Sequence, residues 1–398
     1  LSPGAIPLFL RIAMANAAPP VTARPITARI VAEVLVVAAG LAAFAGAFAL
    51  DLAWLERRFG LERPELVWRE RALLIAVGIA LTLFARPRVG RWAERVGAAE
   101  AVGACFRIGV SVVLAFVASE VGLRALKLPW RTGVATDCLA EPNARYGWLF
   151  KASRSFTIQE GGRPIHRDFD ADHNRAKSVD FVPDPKRPTI FFVGESIAAG
   201  HGLEWEETLP ALVGEALNLQ VVNLGVEGFA ADQGFLRLRD TLPRFERPVA
   251  VVTLFLPLMV GRIQRVDHQR LVFAGDEPTL VSPGFVQGLR LTQVFRELSN
   301  FQAEWAIETT AEVFRQTERL ARERRARAIF VTPYVQDGWP RRDGYLIEEL
   351  LVRQGLTVVD PRFGFERISG EDSHPNAAST RRLAEAVVGA LRAELAAR

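Results

Sequence analysis

Three long apolar stretches crowd into the first 125 residues, and they limit this 398-residue chain more than any other feature. Ile30 to Leu50 is a run of 21 residues interrupted only by Glu33. At 1.5 Å rise per residue it spans ~30 Å, the thickness of a bilayer's hydrocarbon core. Ala72 to Ala85 is shorter, 14 residues clamped between Arg71 and Arg86. It reaches only ~21 Å and must borrow length from Trp68 and from arginines that snorkel to the interface. The third stretch, Ala101 to Leu123, carries Arg107 near its start and Glu120 near its end. A buried helical hairpin would account for the second and third alone. Three such runs with little between them predict membrane helices at about 30–50, 70–86 and 101–123.

Arginine placement orients these helices. Arg11, Arg24 and Arg29 precede the first helix without any acid, and Arg86, Arg88, Arg91 and Arg95 fill the connection before the third. The segment 51–71 balances five arginines with five acids. An inside N-terminus, three crossings and an outside C-terminal part fit this pattern. Leu1 suggests an alternative start or a fragment, with Met14 a candidate start. Hydrophobic residues at 49% beside charged residues at 24% are then the average of two unlike parts, an anchor over 1–128 and a water-soluble remainder.

The net charge of +4 rests on 45 Arg against 4 Lys, a skew expected of a GC-rich bacterial genome. The densest basic run, Arg319 to Arg327, is interleaved with Glu318 and Glu323, each four residues before an arginine. That spacing makes a solvated helix face, and no nucleic-acid partner is expected. Cys105 and Cys138 offer neither metal-ligand spacing nor a disulfide framework.

Beyond Arg187 short apolar runs alternate with amphipathic helical patterns. Strands are expected at 189–193, 219–224, 249–256, 328–332 and 356–360. A long helix follows the third, with apolar pairs at 306/307, 313/314 and 320/321, and a last helix aligns Leu383, Val387, Leu391 and Leu395. This predicts an α/β domain over 188–398, a flavodoxin-like three-layer sandwich with a five-stranded parallel sheet and its site at the strands' carboxyl ends. Residues 129–187, rich in Arg, Asp, Gly and Pro, are expected to form a linker or a small irregular cap.

Two places can carry chemistry. Gly194-Glu-Ser196-Ile-Ala-Ala-Gly200 follows the first strand directly. A serine on a tight strand-to-helix turn is exposed at the positive end of a helix, although serine there is commonly just an N-cap. Far downstream, Gly370-Glu-Asp-Ser-His374-Pro-Asn leads into the last helix. A carboxylate shortly before the histidine can accept its Nδ1–H and leave Nε2 facing a serine hydroxyl. His201, in Gly200-His-Gly202, is expected to be a helix-end polar residue or a substrate contact. Glu195 is expected to point away from a pocket that Ser196 faces.

With these blocks the chain resembles the SGNH, or GDSL-type, hydrolases carrying an N-terminal membrane anchor. Gly194-Glu-Ser196 matches the first block, normally Gly-Asp-Ser. Asn223-Leu-Gly225-Val-Glu-Gly228 matches the second, and Glu371-Asp-Ser-His374-Pro-Asn the last. The resemblance implies the SGNH hydrolase fold, Ser196 as nucleophile, His374 as base, and Ser196 and Gly228 amides as the oxyanion hole. By position Glu371 is favoured over Asp372 as the triad acid. It implies no metal and no cofactor. The family's Gly-x-Asn-Asp block is missing: Phe255-Leu-Pro-Leu-Met-Val-Gly261 has no asparagine, and Arg262, Gln264 or His268 are candidates to replace that oxyanion donor. The implied activity is a membrane-anchored ester hydrolase in a bacterial inner membrane, its catalytic domain facing the periplasm. Its expected substrate is an ester-bearing envelope polysaccharide or lipid. An O-acyltransferase with the same triad, or a non-catalytic envelope protein on a degenerate scaffold, are the alternatives.

Overall fold

The computed structural model describes residues 25–49, 64–125, 139–265, 269–274, 277–285, 288–299, 303–333, 342–361, 365–370 and 372–396. Glu371, His268 and Cys138 lie outside the described residues. The chain divides into two compact units, one ending at Val121 and the other running from Gly122.

The first unit is helical. α1 covers Pro25–Ala49 and α2 covers Pro64–Ile79, which continues through a π-helical turn, Ala80–Ala85, into α3, Arg86–Ala125. Gly97, with φ 80°, breaks α3 into two helices. The second stretch therefore does not stop at Arg86. It runs on as a helix from Arg71 to Gly97, 27 residues, which gives the length the apolar run alone lacked. Three helices, Arg29–Phe48, Arg71–Gly97 and Ala99–Ala125, are long and apolar enough to cross a membrane. Their large side chains, among them Leu35, Leu83, Phe106 and Val113, stand exposed. Glu33, the one acid of the first stretch, is paired with Arg29 and Arg86, each at 2.9 Å, so its charge is shared between α1 and α3. α1 and the π-helical turn after α2 meet closely at Gly40, where a Cβ would stand 2.5 Å from Thr82 Oγ1.

The second unit begins with antiparallel strands: a hairpin of β1 (Ala140–Asn143) and β2 (Gly147–Phe150), then a three-stranded sheet of β3 (Arg154–Glu160), β4 (Arg163–Phe169) and β5 (Arg175–Ala176). The expected linker or irregular cap is thus largely regular structure. The alternation of β4 escapes a hydropathy reading because Arg167, fully buried, takes an inward position between Ile165 and Phe169. Phe150 stacks on Phe169 at 4.4 Å, and their cluster includes Ala199, Val226 and Phe229.

The central sheet contains β6 (Thr189–Val193), β7 (Gln220–Asn223), β8 (Pro248–Leu254), β11 (Arg327–Val331) and β12 (Val358–Val359), in the order β12-β11-β8-β6-β7. All four pairings are parallel. Counted within the sheet this order is 5-4-3-1-2, the flavodoxin-like arrangement, and the chain reverses direction across the sheet between β6 and β8. β6, β8 and β11 are mostly apolar because both faces of the sheet are covered. Ile190 and Phe192 join one core, Phe191 and Val193 the other. The α-helices of this unit are α4 (Ser196–Ala199), α5 (Leu209–Leu217), α6 (Ala231–Thr241), α7 (Leu258–Arg262), α8 (Arg290–Ser299), α9 (Glu304–Glu323), α10 (Arg342–Ile347) and α11 (Ala377–Ala396). A hairpin of β9 (Arg270–Ala274) and β10 (Glu277–Val281) lies outside the main sheet.

Candidate active site

β6 delivers the chain to Gly194, whose φ is 156° and where a Cβ would stand 3.0 Å from Ala198 Cβ and 3.1 Å from Leu254 Cβ. The turn is therefore built on glycine. Glu195, not Ser196, is the N-cap of α4, accepting the Ile197 N–H, and Ser196 opens the helix. α4 ends at Gly200 in the left-handed region, where a Cβ would meet Thr208 Cγ2 at 2.4 Å. At the other end of the chain, Asn376 Oδ1 accepts the Ser379 N–H in the first turn of α11, and Ile368 N–H donates to His374 O. These contacts fix the loop that carries His374.

The two ends meet across the carboxyl edge of the sheet. His374 Nε2 lies 2.7 Å from Ser196 Oγ, and His374 Nδ1 lies 2.6 Å from Asp372 Oδ1. That same oxygen accepts the backbone N–H of His374 at 3.0 Å. The carboxylate found at the histidine is therefore Asp372. Burial pushes the Asp372 carboxyl up, but the hydrogen bonds from His374 outweigh it and hold the group below its ordinary range.

Glu195 does not point away from the nucleophile. Ser196 Oγ–H lies 2.5 Å from Glu195 Oε2, and Arg262 Nη1, at the end of α7, reaches the same carboxylate oxygen at 3.1 Å and Phe229 O at 3.2 Å. Burial pushes the Glu195 carboxyl up; Arg262 and the hydrogen bonds from Ser196 reverse that shift and leave it below the usual carboxylate range. Arg262 thus stands beside the nucleophile, on the helix that follows β8. Gln264 instead turns to the Ala303 N–H at 3.2 Å. Asn223 Nδ2 donates to Ala198 O, and its Oδ1 accepts from Gly225 N–H, binding the second block to α4. Gly225 is pressed against α4, since a Cβ there would stand 2.7 Å from Ala198 Cβ. Gly228 takes φ 78° within the turn from Val226 to Phe229.

A second histidine belongs to this cluster, and the sequence carried no signal for its partners. His201 Nε2 lies 3.1 Å from Asp372 Oδ2, and its ring sits 4.1 Å from the His374 ring, centroid to centroid. His201 Nδ1 lies 3.0 Å from Glu227 Oε1 and 3.4 Å from Glu160 Oε1. The buried Arg167 guanidinium bridges those two acids, 2.6 Å from Glu227 and 2.5 Å from Glu160. Glu160, His201 and Glu227 present ligand atoms close enough for a metal ion, yet Arg167 already supplies the positive charge between the two glutamates. Burial pulls the His201 ring toward its neutral form, and the hydrogen bond and charge of Glu227 overcome it, so its pKa is raised.

A flavodoxin-like α/β domain with a serine, a histidine and an aspartate converging at the carboxyl ends of its strands is the class defined by this fold and site. No protein-family model matches the chain, and no curated protein matches it. The solved structures it resembles include proteins described as G-D-S-L lipolytic or SGNH-hydrolase family members and a carbohydrate acetylesterase. Est24, a carbohydrate acetylesterase from Sinorhizobium meliloti, is 10% identical with TM-score 0.34, the match covering 52% of this chain and 99% of that one. A GDSL-like lipase from Bacteroides thetaiotaomicron is 13% identical with TM-score 0.31, covering 52% and 88%. AlinE4, an SGNH-hydrolase family esterase, is 16% identical with TM-score 0.28, covering 54% and 99%.

Proposed function

We propose that this chain is a membrane-anchored serine hydrolase of carboxylic esters. The observation that carries the reading is the unbroken line from Ser196 Oγ through His374 to Asp372, with contacts of 2.7 and 2.6 Å. Asp372 fixes the tautomer in which Nδ1 bears the proton and Nε2 is free to accept one. Ser196 Oγ adds to the ester carbonyl as His374 Nε2 takes its proton. The tetrahedral oxyanion is held by the Ser196 and Gly228 amides, and collapse expels the alcohol, which receives the proton from His374. Water then attacks the acyl-serine by the same route.

Glu195 and Arg262 belong to the nucleophile's setting. The single hydroxyl proton of Ser196 lies within reach of both Glu195 Oε2 and His374 Nε2; it turns from the carboxylate to the imidazole for catalysis, while the guanidinium neutralises a charge that would otherwise oppose the developing oxyanion. We assign the anchor to a bacterial inner membrane, with the α/β unit on the periplasmic side and ester-bearing envelope polysaccharide or lipid as substrate. Support comes from the three candidate spans and the arginine-rich segments flanking them.

Fluorophosphonate labelling of the full chain in detergent is the test. Labelling that disappears in Ser196→Ala and falls sharply in His374→Ala is expected. Folded protein that neither labels nor cleaves an aryl acetate would refute the reading. A periplasm-dependent reporter fused after Arg398 should be active; activity only of a cytoplasmic reporter would reverse the orientation.

A further inference from the structure

Two ring nitrogens of His201 face carboxylates on opposite sides. Nε2 meets Asp372 Oδ2 at 3.1 Å, and Nδ1 meets Glu227 Oε1 at 3.0 Å. A neutral imidazole has one donor and one acceptor nitrogen, and an ionised carboxylate can only accept. Either tautomer of neutral His201 would therefore set a lone pair against a carboxylate oxygen. The acids around the ring have other donors of their own. Arg167 holds Glu227 and Glu160, the Gly202 N–H also reaches Glu160 at 2.7 Å, and both N–H groups of His374 hold Asp372.

The charge count points the same way. Glu160, Glu227 and Asp372 face His201 from β3, the loop after β7 and the loop before α11. Arg167 on β4 faces it as a cation, and Arg175 on β5 donates to Ala199 O at 3.0 Å and to the Gly200 O next to it. Three buried or half-buried carboxylates against two guanidiniums leave one negative charge uncompensated. A cationic His201 cancels it. The backbone keeps the ring in place: His201 N–H donates to Ser196 O at 2.9 Å, and both flanking glycines have positive φ.

We propose that His201 is a positioning residue held as an imidazolium, gripping Asp372 Oδ2 while His374 takes Oδ1, so that the relay runs Glu227–His201–Asp372–His374–Ser196. This inference rests on the hydrolase reading. The grip prevents Asp372 from rotating away from Nδ1, and it makes alignment of His374 depend on the proton of a second histidine. Activity is then limited on the alkaline side by loss of that proton, which leaves a ring lone pair facing Asp372 or Glu227.

The chain has only five histidines, so ¹⁵N-histidine labelling of the full chain in micelles resolves the ring. In the Ser196→Ala background His201 should show both nitrogens protonated at neutral pH, and Glu227→Gln should move its titration to lower pH. A ring that is neutral at pH 7 overturns the proposal. In the otherwise wild-type enzyme, His201→Gln should lower kcat by about tenfold to a hundredfold, the range for a hydrogen bond to a charged group, with KM nearly unchanged. It should also remove the alkaline limb of the pH profile. A profile of unchanged shape would reduce His201 to a structural part and overturn the positioning role. If the wild-type chain never labels with fluorophosphonate, the hydrolase reading fails and the role in aligning His374 falls with it. The NMR titration still reports the charge state separately.

Discussion

The two adjacent acids before His374 give the sharpest test of the geometry. Asp372 receives His374 Nδ1–H at 2.6 Å, the His374 backbone N–H at 3.0 Å and His201 Nε2–H at 3.1 Å. In Asp372→Asn the side chain keeps its shape but can turn an NH₂ toward His374. The ring then presents Nδ1 as an acceptor and carries its proton on Nε2, where it faces Ser196 Oγ and cannot accept. A wrong tautomer in an otherwise intact triad costs about 10⁴-fold in kcat. Asp372→Asn should therefore lose about four orders of magnitude, and Glu371→Gln should stay within about threefold of wild type. Aryl acetate hydrolysis by the full chain, with thermal unfolding to confirm folding, makes the comparison. If Glu371→Gln is the crippled variant and Asp372→Asn remains within about tenfold of wild type, the assignment of Asp372 is wrong, and with it the mechanism drawn from the 2.6 Å contact.

Arg262→Ala leaves Glu195 buried beside Ser196 without its cation. An uncompensated buried charge costs about 3–5 kcal/mol, readable as a lower unfolding midpoint, and Glu195→Gln in the same chain should recover part of it. Stability should also fall at both ends of the pH range. Glu195 and Asp372 have lowered folded pKa values, so their contribution is complete above the unfolded carboxylate value of about 4 and is lost as pH falls through the folded values. His201 has the opposite sign: its raised pKa contributes fully below about 6.5 and is lost as pH rises through the folded value, so melting curves across pH should trace a plateau between the two. Gly228→Val places a β-branched residue at φ 78° and displaces an assigned oxyanion amide, for an expected loss of about 10²-fold in kcat with substrate binding little changed.

The central sheet was legible because its strands bury both faces. Thr189–Val193, Pro248–Leu254 and Arg327–Val331 are predominantly apolar, and their observed bounds lie within two residues of the expected ones. β12 was legible only as a longer apolar segment, since it pairs over just two residues. α6 was missed because its buried positions include Asp232, Gln233 and Arg237, which break the apolar stripe on which a helix is recognised. The same substitution of buried charge for apolar bulk hid the strands around Arg167 and Arg175. Buried polar residues satisfied by distant partners erase the periodicity that a hydropathy reading depends on.

The site shows where local spacing stops carrying information. Ser196 and His374 stand next to landmarks, a strand end and the start of the last helix, so position alone singled them out. The choice between Glu371 and Asp372 depends on a local ring: an acid two residues before His374 can accept its backbone N–H with a short side chain, the geometry of an Asx turn, and then presents the same oxygen to Nδ1. Spacing counted from the family block does not contain that preference. Glu195 differs from the usual aspartate by one methylene, and Arg262 follows β8 where the family's third block, with its asparagine, is expected. Each departure looks like a defect when taken singly. In the fold the two side chains touch, at 3.1 Å, so the carboxylate at Ser196 and the cation near the missing donor form one compensated pair. A lone buried glutamate there would oppose an oxyanion, and the guanidinium 3.1 Å away offsets that charge. The pair therefore brings no net charge to the nucleophile, and the residues standing in place of the family's block are compatible with the proposed serine mechanism.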